Sequence, residues 1–339
     1  MLRQNPYQLA RDLPGVGFKT ADDIARKMGQ NDNSPQRIGA GLLHALQAAG
    51  NNGHCALPRE DLIRQATEML GADPNSVASI LDELILAAKV IDQTDLIFEP
   101  DLHRAEQTIA DRVVQLSKRP APYKNLKPNE AIAAFEEAQS ITLSEEQRHA
   151  VCEAVEFPLF IITGGPGVGK TTIVRAILGI LAKKGIEIVL AAPTGRAAKR
   201  LYESTGREAT TMHRLLEFQP QGGFARYKDN PLEGQLFVID EASMIDAPLM
   251  AAFMQALPVN AHVILVGDVD QLPSVGPGII LKDLIDCGSV PVARLKQIFR
   301  QAQTSKIVTA AHSVNQGELP DLVSTKDADF FFFERQNPE

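Results

Sequence analysis

The sequence is short of the features that would turn its reading elsewhere. Cysteine is scarce: Cys55, Cys152 and Cys287 stand far apart, with no C-x-x-C pair. Neither a zinc site nor a disulfide framework is indicated, and three reduced thiols suit a cytoplasmic chain. Long apolar runs are missing too, since no window approaches the ~20 residues that a membrane span takes. The opening Met1-Leu2-Arg3-Gln4-Asn5-Pro6 holds no apolar stretch of signal-peptide length. Positive charge is lacking as well, the formal net charge being −8. A surface coated in positive potential is thereby excluded, and any contact with nucleic acid must be local. No internal repeat or low-complexity tract interrupts the chain. With 44% apolar and 22% charged residues over 339 positions, two or three domains with real cores are expected.

What is present centres on Thr163-Gly164-Gly165-Pro166-Gly167-Val168-Gly169-Lys170-Thr171-Thr172. An apolar run at 159–162 precedes it and a helical pattern at 173–184 follows, giving the strand, loop and helix that a phosphate-binding loop requires. Gly164, Gly167 and Gly169 permit positive φ, so the loop from Gly165 through Pro166 to Thr172 can close around phosphate oxygens with the backbone N–H groups of its non-proline residues. The helix N-terminus adds roughly half an elementary positive charge. Lys170 would reach the β- and γ-phosphates of ATP, and the Thr171 hydroxyl would ligate Mg²⁺. Short β-branched runs at 159–162, 186–191, 236–239 and 262–266 alternate with helical patterns. They are apolar on both faces, as a parallel sheet covered by helices demands. The expected fold is an α/β P-loop NTPase with a RecA-like parallel sheet over 140–300. Asp240 and Glu241 end the third run, at the strand edge that faces a nucleotide. There Asp240 can hold the Mg²⁺ shell, and Glu241 can orient and deprotonate an attacking water.

The first hundred residues read as an all-α region. Around Pro14-Gly15-Val16-Gly17, two short helices resemble a helix-hairpin-helix. Gly15 and Gly17 would let a turn and a helix end meet one DNA phosphate, with Lys19 supplying charge and nothing reading a base. An αα-hairpin that only packs is the competing reading. Helical patterns at 38–49, 58–70 and 74–88 follow, with Asp73-Pro74 as N-cap and first residue of the last. A small hairpin over 89–98 then makes the region winged-helix-like. Ala105, Ile109, Val113 and Leu116 form one helical stripe, and a basic, proline-rich linker from 117 to 128 closes the stretch 101–139.

The ordered motifs as a set resemble superfamily 1 helicases, specifically the RecD-like group of the 5′→3′ branch. Beside the P-loop and Asp240-Glu241-Ala242-Ser243, the set comprises Leu143-Ser144-Glu145-Glu146-Gln147, Ala192-Pro193-Thr194-Gly195-Arg196 and Thr211-Met212-His213-Arg214. It continues with Gly267-Asp268-Val269-Asp270-Gln271-Leu272-Pro273 and Leu295-Lys296-Gln297-Ile298-Phe299-Arg300. The resemblance implies that Gln147 reads adenine, although Ser144-x-x-Gln147 is also a helix capping box. It implies that Gln271 senses the γ-phosphate and that Arg300 reaches it across a cleft, so that Lys170, Asp240, Glu241, Gln271 and Arg300 form the catalytic set. It places DNA on Pro193, Thr194, Arg196, Thr211 and His213, and a strand-separating insertion near 217–233. Lys199 and Arg200 read as a solvated basic face.

A superfamily 1 motor closes ATP between two such domains, and here the second can only begin, at 301–339. A helix over 307–315 and a strand over 329–334 are expected there. The chain thus reads as the amino-terminal portion of an ATP-dependent DNA helicase or translocase using ATP and Mg²⁺. Its partners would be single-stranded DNA and duplex/single-strand junctions. Two alternatives stay open: the helicase half of a conjugative relaxase, and a DNA-dependent ATPase switch or DNA-binding module that does not unwind.

Overall fold

A computed structural model of the chain describes residues 6–8, 15–123, 125–298, 304–322 and 329–333. Its contacts divide into two units. One comprises Met1–Ile109, Asp246–Ala251 and Ser274–Gly278; the other comprises Ala110–Ile245, Ala252–Pro273 and Ile279–Glu339.

The first unit is built of helices α1 (Phe18–Lys27), α2 (Pro35–Asn51), α3 (Arg59–Leu70) and α4 (Pro74–Leu86). Strands β1 (Ala56–Pro58), β2 (Ile91–Gln93) and β3 (Leu96–Phe98) form a small antiparallel sheet in the order β1-β3-β2. Two helix starts follow directly from sequence. Ser34 caps α2 ahead of Pro35, and Asp73 accepts from the Ser76 N–H at 2.9 Å ahead of Pro74. The expected hairpin over 89–98 forms, but β1 was not foreseen, because three residues at a helix start carry no period of their own. Residues 9–14 lie outside the described residues, so of the glycine hairpin only residues 15–17 and α1 are seen.

One buried ion pair ties α1 to α2, and nothing in the sequence pattern announced it. Arg37, 2% exposed, donates to both carboxylate oxygens of Asp22 at 2.8 and 3.1 Å and to the Leu70 carbonyl at 3.0 Å. The Tyr7 hydroxyl donates to the same carboxylate at 2.8 Å. Burial pulls the Asp22 carboxyl upward, but the bonds from Arg37 and Tyr7 outweigh it and hold it below its ordinary range.

Helix α5 (Pro100–Ser117) carries the apolar stripe, with Ala105, Ile109, Val113 and Leu116 all buried. The proline-rich stretch beyond it is a packed strap rather than a loose tether. Arg112 donates to the Leu257 and Pro258 carbonyls at 3.1 and 2.7 Å, and Arg119 to Ala261 at 2.6 Å. Of the basic residues beyond the helix, Arg119 thus holds a main-chain carbonyl and Lys127 pairs with Glu130 at 2.7 Å.

The second unit continues with α6 (Pro128–Gln139), α7 (Glu145–Glu156), β4 (Leu159–Gly164), α8 (Lys170–Ala182), β5 (Ile188–Ala192) and α9 (Gly195–Thr205). Next come β6 (Ala209–Thr211), the short α10 (Met212–Leu215), β7 (Phe218–Gln219), β8 (Gly223–Phe224) and β9 (Leu236–Ile239). Helix α11 (Ala247–Ala256), β10 (His262–Gly267), α12 (Ile280–Asp286), β11 (Val292–Leu295) and α13 (Lys306–Asn315) complete it. Six parallel strands in the order β11-β4-β10-β9-β5-β6 form one sheet. Every residue of β9 and β10 is buried, which is the two-sided burial their unbroken apolar runs required. This is the expected α/β P-loop NTPase fold behind an α-helical region. The stretch 217–233, where an insertion is expected, opens with the β7–β8 hairpin, Phe218 facing Phe224. No strand forms over the described part of the expected 329–334 segment: Phe331, Phe332 and Phe333 are 50%, 46% and 79% exposed. Apolar β-formers make a strand only on a pleated surface that covers them, and these three side chains stay exposed. No helix among the described residues is long and apolar enough to cross a membrane.

Candidate nucleotide site and nucleic-acid face

Three neighbouring parallel strands deliver the candidate nucleotide site. β4, β10 and β9 lie side by side, and their carboxyl ends share one edge of the sheet. β4 ends in the glycine loop, β9 in Asp240 and Glu241, β10 in Asp268. Open parallel sheets offer their ligand crevice at this edge. Gly167 and Gly169 hold φ of +76° and +85°, the conformation for which glycine is needed. At Gly164 a Cβ would stand 2.6 Å from the Leu295 carbonyl oxygen, so β11 passes too close for any side chain.

Lys170 opens α8 and folds back on the loop, its Nζ donating to the Gly165 carbonyl at 3.1 Å and to that of Gly164. Burial pushes its amine below the ordinary range, while the carboxylates of Asp268, Glu241 and Asp240 pull it back. Burial likewise raises Asp240, whose Oδ1 accepts from the Glu241 N–H at 2.9 Å. Glu241 sits at φ +54°, a backbone conformation that costs a non-glycine residue about 1 kcal/mol and recurs at functional sites.

One ammonium therefore faces three carboxylates, a surplus of negative charge suited to a divalent cation. No three His, Cys, Asp or Glu side chains converge on a metal position among the described residues. Mg²⁺ keeps waters and phosphate oxygens beside one or two protein ligands. Thr171, exposed at the loop's end, and Asp240 are the donors of the right kind.

Asp268 had no role in the sequence reading, yet it organises the next loop. It is 2% exposed; its Oδ1 accepts from the Asp270 N–H at 3.2 Å and its Oδ2 from Gln271 Nε2 at 3.1 Å. Gln271 is thus tethered directly to one of Lys170's counter-charges. Gln147 is buried, and the capping box closes in both directions: Ser144 Oγ accepts from Gln147 N, and Gln147 Oε1 accepts from Ser144 N at 3.1 Å. Its carbonyl oxygen is therefore committed to the cap. Neighbouring Glu146 accepts from the Lys296 and Gln297 N–H groups at 3.1 and 3.3 Å, fixing the segment that leads to Arg300. Arg300 itself lies outside the described residues.

The nucleic-acid candidates occupy the next two strand ends. β5 follows β9 in the sheet and β6 follows β5, with Ala192 paired to Thr211. Thr194 Oγ1 accepts from Ala197 N and Thr211 Oγ1 from Arg214 N, each at 3.2 Å, so both threonines cap helices. A hydroxyl that accepts still has its own hydrogen to donate to a phosphate. Pro193 is half-buried behind Thr194, and Arg196 is exposed in the first turn of α9. Lys199 pairs loosely with Glu203 at 3.8 Å, as a solvated face would. His213 meets Phe218 edge-on with ring centroids 5.6 Å apart and Phe224 at 5.8 Å. That aromatic cluster spans a hairpin, so no sequence spacing revealed it. In the first unit, Gly15 (φ +89°), Gly17 and Lys19 are all exposed, and Gly17 is the N-cap of α1 without a side-chain bond.

A family model of the ATP-dependent RecD2 DNA helicase HHH domain matches residues 1–56, and an AAA-domain model matches residues 147–277. The ATP-dependent RecD2 DNA helicase of Deinococcus radiodurans is 34% identical over 323 residues, which is 91% of this chain and 44% of that protein. The chain is RecD-like. The RecBCD enzyme subunit RecD of Mycolicibacterium smegmatis is 37% identical over 211 residues, 55% of the RecD-like chain and 36% of the subunit. The RecD-like chain spans less than half the length of either relative.

Proposed function

We propose that this chain binds ATP at the ends of β4, β10 and β9 and single-stranded DNA across the ends of β5 and β6. It would serve as the first motor portion of a cytoplasmic ATP-dependent DNA helicase moving 5′→3′. The observation that carries this is the adjacency of the two sets: Asp240 ends β9, Thr194 follows β5, and β5 is β9's hydrogen-bonded neighbour. A shift in the nucleotide loops is then one strand away from the DNA contacts. The hairpin at 15–17 adds a sequence-independent phosphate contact, and the RecD2 HHH-domain match favours a helicase over a relaxase half.

In this mechanism the N–H groups of Gly165, Pro166-following Gly167, Val168, Gly169, Lys170, Thr171 and Thr172 embrace the phosphates. Lys170 turns from the loop carbonyls to the β- and γ-phosphates. Thr171 and Asp240 would hold Mg²⁺, which would supply positive charge to offset that of the phosphates. Glu241 takes a proton from the attacking water, and Gln271 and Arg300 face the γ-phosphate. Gln147 retains its amide nitrogen to meet adenine while its oxygen stays in the cap.

Anisotropy of a labelled oligonucleotide tests the coupling. DNA affinity should differ about fivefold or more between Mg·ATPγS and Mg·ADP, the scale of a modest allosteric coupling. Equal affinity with both nucleotides would reject a translocating motor and leave a passive binder.

The glycine hairpin is separately testable, because its two glycines differ. A Cβ at Gly17 meets nothing within 4 Å and φ there is not positive, whereas Gly15 sits at φ +89°. Gly17→Ala should therefore leave the melting temperature unchanged while weakening duplex or junction binding severalfold. Undiminished binding would make the hairpin structural.

A further inference from the structure

Helix α13 brings two side chains of its last turn, His312 and Asn315, onto the nucleotide loops, and neither belongs to the sites above. Its start is firmly set: Ser305 caps it, and the Asp329 carboxylate accepts from the Lys306 N–H at 2.8 Å. Residues three apart share a helix face. From that face His312 Nε2 lies 3.0 Å from the Pro166 carbonyl oxygen, and Asn315 Nδ2 donates to Asp270 Oδ2 at 2.7 Å. A carbonyl only accepts, so Nε2 carries the proton. The imidazole sits so close that a Cβ on Gly165 would come within 2.8 Å of His312 Cε1.

Three successive loop carbonyls are thus held by two side chains, Gly164 and Gly165 by Lys170 and Pro166 by His312. On the other loop Asn315 holds Asp270, whose N–H bonds the same Asp268 carboxylate that tethers Gln271. We propose that His312 and Asn315 form a clasp through which α13 senses which nucleotide is bound. This rests on the nucleotide-site reading above. Lys170 leaves the loop carbonyls for either a di- or a triphosphate, so His312 becomes the tie that keeps the loop ordered for both. Gln271 leaves Asp268 only for a γ-phosphate, and Asn315, by fixing Asp270, resists that departure. The two nucleotides therefore load α13 differently, which is the differential interaction a conformational signal needs.

Calorimetry of Mg·ADP and Mg·ATPγS binding to the 339-residue chain and its variants tests the clasp. Asn315→Ala should tighten Mg·ATPγS about fourfold, the scale of one exchanged hydrogen bond, with Mg·ADP changed less than twofold. His312→Ala should weaken both nucleotides by a similar factor, and His312→Gln, which keeps an N–H donor, should restore both. A merely structural helix would lower the melting temperature of both alanine variants without altering the ratio of the two affinities. An unchanged ratio in Asn315→Ala, or a glutamine variant as weak as the alanine one, overturns the clasp alone. Failure of the unaltered chain to bind either nucleotide overturns the nucleotide site and the clasp with it.

Discussion

Lys170→Ala should cost the chain at least about a hundredfold in Mg·ATPγS affinity, and a full-length motor about 10²–10³ in hydrolysis rate, as loss of a charge-stabilising donor generally does. The reason lies in the local charge balance. Lys170 is the ammonium that Asp240, Glu241 and Asp268 act on, and burial has already lowered its pKa. Without it a trianionic edge would face a polyanionic ligand. The fold should survive, because Nζ bonds only loop carbonyls and the rest of α8 buries Ile173, Val174 and Ile177 in the core. Lys170→Arg keeps the charge but presents a planar fork in place of a compact ammonium, so it should recover little. Calorimetry alongside thermal melting separates these effects. Undiminished nucleotide binding by a well-folded alanine variant would remove the P-loop assignment.

The sheet centre was legible because its strands are apolar on both faces. The runs at 159–162, 236–239 and 262–266 became β4, β9 and β10 within one or two residues. β6 and β11 escaped because edge strands are only partly covered: Ala209–Thr211 is half-buried throughout, and Arg294 in β11 is exposed. A three- or four-residue strand without a clean period looks like loop. The capping box of Ser144 and Gln147 was legible, being local. Asp268, Glu146 and His312 were not: Glu146 and His312 bond chain segments distant in sequence, and the burial of Asp268 and its charge on Lys170 come from the packing of separate strands. Asp268 was a loop acid until burial and the Gln271 bond gave it a task; His312 was one polar position in a predicted helix until α13 met the Pro166 carbonyl. The phenylalanines at 330–333 show the converse failure. Strand propensity is a preference for a pleated, half-covered surface, and without such a surface it specifies nothing.

Lowering the pH should expose a weakness in the second unit. His262 begins β10, is 1% exposed and shares a 3.0 Å hydrogen bond between its Nδ1 and the Tyr123 hydroxyl. Burial pushes it down to about 3, the nearby Arg119 charge adding to the push against an opposing backbone contact from Ala154. Below its ordinary pKa of about 6.5 the unfolded chain takes up a proton that the folded chain refuses. The stabilising contribution is therefore complete above about pH 6.5 and drains away as the pH falls toward about 3. At pH 5 the loss from this one residue is about 2 kcal/mol. Urea unfolding at pH 7.5 and 5.0 isolates it when set beside His262→Gln. Other groups titrate alike in both proteins, so the drop in stability should be about 2 kcal/mol larger with histidine in place. Tyr123→Phe should cost about 1 kcal/mol at either pH, since it removes one hydrogen bond and leaves the burial that excludes the proton. Equal drops for the histidine and glutamine proteins would mean that the ring accepts its proton while folded, and the strap from Arg119 to Tyr123 would then have to open to admit water.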